Sequence, residues 1–335
     1  MPHLLAMPPY PWQQSQWDSF VTLLEQERLA HALLIAGPEG LGGLTLARAM
    51  GQFLLCKAPI GSVACGKCKD CLLLESETHP DFFSVQPEGT SSAIKVDQIR
   101  QVTEFMSKTA QQGGRKVILL APAEAMNINA ANALLKSLEE PTAQTFLLVV
   151  SPEPSRLLAT IRSRCAKLTL TAPADKEAVE WLTQVGLADS GHLLADAGGQ
   201  PLKVQQWFEE DFVTHRTRLG QELQELAEGH KSPLSVAKAW LEHEPIQVLD
   251  SMLLWVQNAV KQQQAASSQD TPGPEGGIIE LLQGVPSQLL FRYWERLTQT
   301  KKELLSQSNP NLELLLDELL LGWVALVGRG RAAAR

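Results

Sequence analysis

Gly37-Pro38-Glu39-Gly40-Leu41-Gly42-Gly43-Leu44-Thr45 follows the apolar run Ala32-Leu33-Leu34-Ile35-Ala36 and precedes a helix-forming run from Leu46 to Leu55. Strand, glycine loop and helix, in that order, are the layout of a P-loop, in which backbone N–H groups and a helix N-terminus cradle phosphates. The full pattern is G-x-x-x-x-G-K-[ST]. Gly37 and Gly42 meet it, but Gly43 stands at the lysine position and Leu44 at the hydroxyl position. The cation that reaches the β/γ-phosphates and the hydroxyl that holds Mg²⁺ are both missing. Thr45 comes one residue late, which turns it about 100° around a helix. Two readings stand on these residues: a glycine-rich strand-to-helix turn with no ligand, or a P-loop fold that has lost its nucleotide.

Outward from the loop, strand-like and helix-like stretches alternate. Trp17 to Arg28 reads as a short amphipathic helix, and Asp81 to Val85 as a second strand. Ile94, Ile99, Val102 and Met106 share a helical face over Ile94 to Thr109, with Lys95, Asp97 and Arg100 on exposed sides. Gly113-Gly114 breaks the chain before Val117-Ile118-Leu119-Leu120, a run too apolar to have a wet face. Ala130 to Glu140 is rich in helix formers and ends at Pro141, and Phe146 to Val150 is another buried-type strand. Such alternation predicts an α/β fold with a parallel sheet covered on both sides. Beyond Lys167 and a short strand at Leu168 to Leu170 the character changes. Small helices are expected at Glu177 to Val185 and Gly191 to Ala197, and the turn Gly198-Gly199-Gln200-Pro201 opens another through Phe208. From Phe212 onward the periodicity is helical only. Ser267 to Gly277 reads as a flexible loop by composition, and Gly328 to Arg335 as a frayed end.

Four of the five cysteines cluster as Cys56, Cys65, Cys68 and Cys71, spaced C-x8-C-x2-C-x2-C. Gly66 permits the tight turn between Cys65 and Cys68. Four thiolates within reach of one ion make a closed, tetrahedral, structural Zn²⁺ site. The bacterial iron–sulfur pattern continues x3-C-P, and Glu75 stands where that cysteine belongs. His79, before Pro80, reads as a turn residue, and Cys165 as buried packing.

In an active P-loop ATPase the strand Val117–Leu120 ends in a carboxylate pair. Here Ala121 and Pro122 follow, and Glu124 lies two positions further on. Lysine, hydroxyl and both acids are therefore absent together. What remains is cationic: Arg156, Arg162, Arg164 and Lys167 flank Ile161-Arg162-Ser163-Arg164-Cys165. Arginine offers phosphate a permanently charged fork, though an isolated surface arginine more often forms a salt bridge.

The net charge of −8 on 335 residues argues against strong DNA binding by this chain alone. No apolar run approaches the ~20 residues of a membrane span. Met1 to Trp12 lacks the basic start of a signal peptide, so a cytoplasmic protein without membrane partners is expected.

Asn132-Ala133-Leu134-Leu135-Lys136-Ser137-Leu138-Glu139-Glu140-Pro141, then Ser163-Arg164-Cys165, behind a four-cysteine insert, resembles the AAA+ clamp-loader subunits of bacterial DNA polymerase III. Tyr10-Pro11-Trp12, the eroded loop (Gly37, Gly42, Gly43, Leu44) and the acid-free strand end resemble its delta-prime branch in particular. The resemblance is strong over residues 10–205. It implies an AAA+ α/β domain with the zinc module (1–167, cysteines at 56–71), a small helical lid (168–211) and an all-α collar that assembles the ring (212–335). It implies partners: gamma/tau and delta subunits in a hetero-pentamer, with the sliding clamp and primer-template DNA reached through the complex. The lid's sensor arginine falls on Pro201, one more lost ATP contact, so no bound ATP and no intrinsic ATPase are expected. Polymerase (nucleotidyltransferase) activity enters by complex membership only. The S-R-C arginine carries over to Arg164, an arginine finger acting on the neighbouring subunit's ATP. Asn132 and Lys136, one helical turn apart, are either residues lining the ring's DNA chamber or plain solvated helix positions. An active AAA+ ATPase and a zinc-dependent nucleic-acid-binding protein are the competing functions. The missing residues oppose the first and the acidic charge opposes the second.

Overall fold

Five short strands form one sheet in which every pairing is parallel, in the order β2-β3-β4-β1-β5. The strands are β1 (Ala32–Ala36), β2 (Phe82–Val85), β3 (Lys116–Leu120), β4 (Thr145–Ser151) and β5 (Ala166–Thr169). The computed structural model describes residues 9–89, 93–112, 114–264, 276–305 and 311–333. Side chains alternate across the sheet with period two. Leu33, Ile35, Val117, Leu119, Leu148 and Val150 face one layer, with Trp17, Phe20, Leu46, Met50 and Phe53. Ala32, Leu34, Ile118, Leu120, Leu147 and Val149 face the other, with Ile99, Val102, Leu134, Leu138 and Ile161. Both faces being dry at the three inner strands, β1, β3 and β4, explains why those carry continuous apolar runs.

The first layer is built by α1 (Gln14–Glu25) and α2 (Gly43–Leu55). After α2 the cysteine insert contains a helix that the sequence did not announce, α3 (Lys69–Glu75). The second layer comes from α4 (Val96–Ser107), α5 (Ile128–Glu139) and the single turn α6 (Ala159–Arg162). The expected positions hold: Ile94, Ile99, Val102 and Met106 are buried, whereas Lys95, Asp97 and Arg100 are exposed. α5 starts two residues before the helix-former run because Asn127 caps it, its side-chain oxygen accepting from the Ala130 N–H at 2.9 Å. Beyond β5 lie α7 (Asp175–Gln184) and α8 (Pro201–Glu209). The small helix expected at Gly191 to Ala197 is instead a 3-10 segment at Ala188–Leu193 followed by turns. Its Gly191, the later glycine pair and short polar residues do not sustain an α-helical ladder.

The chain divides into two compact units, Met1–Gln205 and Gln206–Arg335. Among its described residues the second has helices only: α9 (Phe212–Glu228), α10 (Pro233–Trp240), α11 (Pro245–Gln264), α12 (Gly276–Gln283), α13 (Ser287–Leu305) and α14 (Leu312–Ala333). Its core holds Trp240, Trp255 and Trp323, all fully buried. Trp240 Nε1 donates to the Glu222 carboxylate at 2.7 Å and Trp323 Nε1 to the Leu223 carbonyl at 3.3 Å. The expected fraying from Gly328 is not seen through Ala333, since α14 runs to that residue with Val327 and Gly330 buried. Residues 334–335, Gly113 and 267–275 of the expected loop lie outside the described residues, and Gly276 and Gly277 already belong to α12. Among the described residues no helix is long and apolar enough to cross a membrane.

Candidate functional site

The glycine loop takes its expected place between β1 and α2, and the Leu41 and Gly42 N–H groups bond within it. Glu39–Leu41 form a 3-10 turn, in which the Leu41 N–H donates to the Pro38 carbonyl at 3.1 Å and the Gly42 N–H to Glu39 at 3.0 Å. Two of the loop's carbonyls accept from side chains outside it. Trp12 Nε1 donates to the Leu41 carbonyl at 3.0 Å, and the fully buried Gln13 amide donates to Leu41 at 2.7 Å and Gly42 at 3.0 Å. Gly42 is left-handed at φ +79°, and a Cβ there would meet the Tyr10 ring at 2.7 Å and Leu202 Cδ1 at 2.9 Å. A Cβ on Gly40 would meet Gln200 and Lys203 at 2.8 Å. Gly40 and Gly42 are thus the places where Tyr10 and residues 200–203 close on the loop, whereas a Cβ on Gly37, the other glycine of the pattern, would meet Leu170 at 2.8 Å.

The closing group is itself an aromatic cluster. Tyr10 and Trp12 stack at 5.0 Å between centroids, and Trp181 of α7 meets them edge-on at 5.8 and 5.3 Å. Such pairs add about 0.5–1.5 kcal/mol each beyond burial. The sequence showed Tyr10-Pro11-Trp12 as a motif; Gln13 and Trp181 carried no signal of their own.

At the far end of β3, Ala121 is buried and joined to Pro122 by a cis peptide. Glu124 is engaged: its carboxylate accepts from Ser151 Oγ at 2.7 Å and from the Glu153 N–H at 3.0 Å, so it caps the end of β4.

The structure brings the four cysteines together. Their sulfurs all lie within 4.8 Å of one another, with Cys56–Cys65 at 3.6 Å and Cys56–Cys68 and Cys65–Cys71 at 4.0 Å. Tetrahedral ligation at a Zn–S bond of ~2.3 Å separates sulfurs by roughly 3.8 Å, so the donor set fits zinc. Gly66, at φ +68°, makes the expected turn. The Cys65 N–H donates to Cys56 Sγ and the Cys68 N–H to Cys65 Sγ, both at 3.3 Å. The Lys67 amide, aided by that of Cys68, pulls the Cys65 thiol down to about 6. Burial works to raise Cys68, but the Cys71 and Lys57 amides outweigh it and lower it. Burial raises Cys56 and Cys71.

His79 is more than a turn residue. It is buried, with Nδ1 accepting from the Asp81 N–H at 3.0 Å and Nε2 3.1 Å from Asp70 Oδ1. This assigns the ring proton to Nε2 and ties α3 of the cysteine module to the start of β2. Cys165 is buried among the second layer's apolar side chains, as expected.

Arg164 follows α6 and is exposed. Its Nη2 donates to Glu139 Oε1 at 2.6 Å and its Nη1 to the Thr160 carbonyl at 3.0 Å. Arg156 pairs with Glu153 at 3.3 Å, whereas Arg162 has no ion-pair partner among the described residues. Asn132 and Lys136 lie exposed on one side of α5, with Ile128 one turn earlier, also exposed. The fold therefore groups Arg164 with the end of α5, through Glu139, which the sequence did not single out.

The family described as DNA polymerase III, delta subunit, matches residues 12–174, and the one described as DNA polymerase III, delta subunit, C terminal, matches residues 210–325. DNA polymerase III subunit delta' of Pseudomonas aeruginosa is 38% identical over 331 residues, 96% of this chain and 99% of its own. The subunit of that name from Escherichia coli strain K12 is 33% identical over 317 residues, 93% of this chain and 94% of its own. Among solved structures, a DNA polymerase III gamma-subunit-related protein of Thermotoga maritima covers 93% of this chain and 99% of its own at a TM-score of 0.45 and 16% identity.

Proposed function

The chain belongs to the family of DNA polymerase III delta' subunits, members of the clamp loader, and we propose that in the loader it hydrolyses no ATP and lends Arg164 to a neighbour's ATP. Residues 168–211 are then the lid and 212–335 the collar through which it joins gamma/tau and delta subunits. The assembled ring opens the sliding clamp and seats it on primed DNA. Zinc, held by Cys56, Cys65, Cys68 and Cys71, keeps the insert folded and takes no part in hydrolysis.

The observation that carries this reading is the division of labour between loop and arginine. The loop lacks lysine, hydroxyl and acids, and Tyr10, Trp12, Gln13 and Leu202 pack on it. The fixed cation, Arg164, stands at the surface with no nucleotide site of its own chain to serve. In trans it would place positive charge on β/γ-phosphate oxygens as charge shifts in the transition state. Arginine fingers contribute on the order of 10³–10⁵ in rate in related phosphoryl-transfer systems. The test is Arg164→Ala in the reconstituted complex. The variant should assemble and should reduce DNA- and clamp-stimulated hydrolysis, while Arg162→Ala should do less. A complex that hydrolyses ATP and loads clamps at the wild-type rate with Arg164→Ala would refute the assignment.

A further inference from the structure

We propose that Glu139 is a positioning residue for Arg164, bracing the guanidinium at the subunit surface with its remaining N–H groups turned outward; the proposal rests on the arginine-finger reading above. Glu139 is the last residue of α5, and Glu140 follows it. Two acidic residues at a helix C-terminus run against the helix dipole, whose negative end favours cations. Arg164 compensates that arrangement directly, 25 residues on in sequence and 2.6 Å away. The second brace is the Thr160 carbonyl within the one-turn helix α6, which accepts from Arg164 Nη1 at 3.0 Å and also from Ser163 Oγ at 3.1 Å.

A guanidinium has five N–H donors in a rigid fork. The two braces use one each on Nη1 and Nη2, which leaves three for an incoming phosphate. The side chain is still 35% exposed. An unbraced arginine carries considerable rotamer entropy that must be lost when it meets phosphate, and fixing it in advance removes that cost from the encounter. The neighbouring arginines lack this arrangement. Arg156 pairs only with Glu153 three residues before it, at 60% exposure or more on both sides, and Arg162 has no ion pair among the described residues.

The experiment measures ATP hydrolysis with DNA and clamp by the reconstituted complex carrying Glu139→Ala, Glu139→Gln, Arg164→Ala, or Glu139→Ala with Arg164→Ala. At the site fed by this subunit, Glu139→Ala should lower kcat roughly two- to fivefold, the scale of a half-exposed ion pair, with KM unchanged. Glu139→Gln, which keeps an acceptor oxygen, should retain more activity than Glu139→Ala. In the Arg164→Ala background, Glu139→Ala should add nothing. A rise in kcat with Glu139→Ala would mean that the carboxylate holds the arginine away from ATP, and would overturn the proposal. An equal loss in both backgrounds would make Glu139 a general structural residue and overturn it too. If Arg164→Ala lowers the rate and Glu139→Ala does not, the finger stands and the brace falls. If Arg164→Ala itself has no effect, both fall.

Discussion

Gly42→Ala tests whether the glycine loop is closed by the protein's own side chains. Gly42 sits at φ +79° and ψ +32°, so alanine there takes on left-handed strain of about 1–2 kcal/mol. The new Cβ would also lie 2.7 Å from Tyr10 Cε2 and 2.9 Å from Leu202 Cδ1, closer than real Cβ contacts come. Overpacking of that kind costs about 1–3 kcal/mol. Gly186 supplies the control: its φ is +87°, but nothing lies within 4 Å of its Cβ position, so Gly186→Ala carries the backbone strain alone. A total of about 3 kcal/mol for Gly42→Ala lowers the midpoint of the first unit by roughly 6–12 °C, against roughly 3–6 °C for the strain of about 1.5 kcal/mol in Gly186→Ala. Calorimetry of the full chain reads both. Tyr10→Ala provides the second check: combined with Gly42→Ala it should cost less than the sum of the two, because removing the ring relieves the clash. Equal losses for Gly42→Ala and Gly186→Ala would show that Tyr10 and Leu202 are not held against the loop. The same result would leave the loop open to phosphate and weaken the non-hydrolysing reading.

The purified chain should contain one zinc per molecule by elemental analysis; iron, or no metal, would refute the site. Burial raises Cys56 and Cys71, so at neutral pH the metal-free chain holds both as thiols, and zinc uptake in weakly buffered solution should release at least those two protons. Acidification should reverse this and expel zinc, because each ligand must be a thiolate. The chain alone should show no ATP binding by calorimetry, and Gly43→Lys with Leu44→Thr should not produce turnover. A side chain at 43 would start against Val150, Leu170 and Ile35 at 3.4–3.6 Å, and β3 still ends in Ala121 and Pro122. Lys136→Ala should flatten the salt dependence of DNA binding by the full complex by roughly one phosphate contact; an unchanged slope would make Lys136 a solvated helix residue.

What the sequence disclosed and what it withheld follow from the range of the forces involved. Strands dry on both faces must be apolar along their whole length, so Val117–Leu120 and Phe146–Val150 were legible, as was the helical face of Ile99, Val102 and Met106. The cysteine spacing was legible because a tetrahedral site fixes which residues must meet, and Gly66 supplied the turn. Helix α3 was not, since a seven-residue helix that starts just after Cys68 and contains Cys71 is too short to carry a periodicity of its own. His79 does start a turn, its carbonyl accepting from the Phe82 N–H at 3.2 Å, but the use of its side chain was not legible for a related reason. Its role depends on Asp70 and Asp81 arriving beside it from two sides, and Pro80 speaks only for the local backbone. The loop is the instructive case. The pattern showed what Gly43 and Leu44 cannot do, but the use made of Gly40 and Gly42 depended on Tyr10 and on residues 200–203, at least 30 positions away in either order along the chain. A glycine pattern marks only where side chains must be absent. It does not say whether a phosphate or a tyrosine ring fills the space, and only the surrounding fold decides that. The same limit applies to Arg164. The S-R-C motif announced a cation at the surface, but Glu139, the residue that holds it, belongs to another helix and became visible only when α5 and α6 came together.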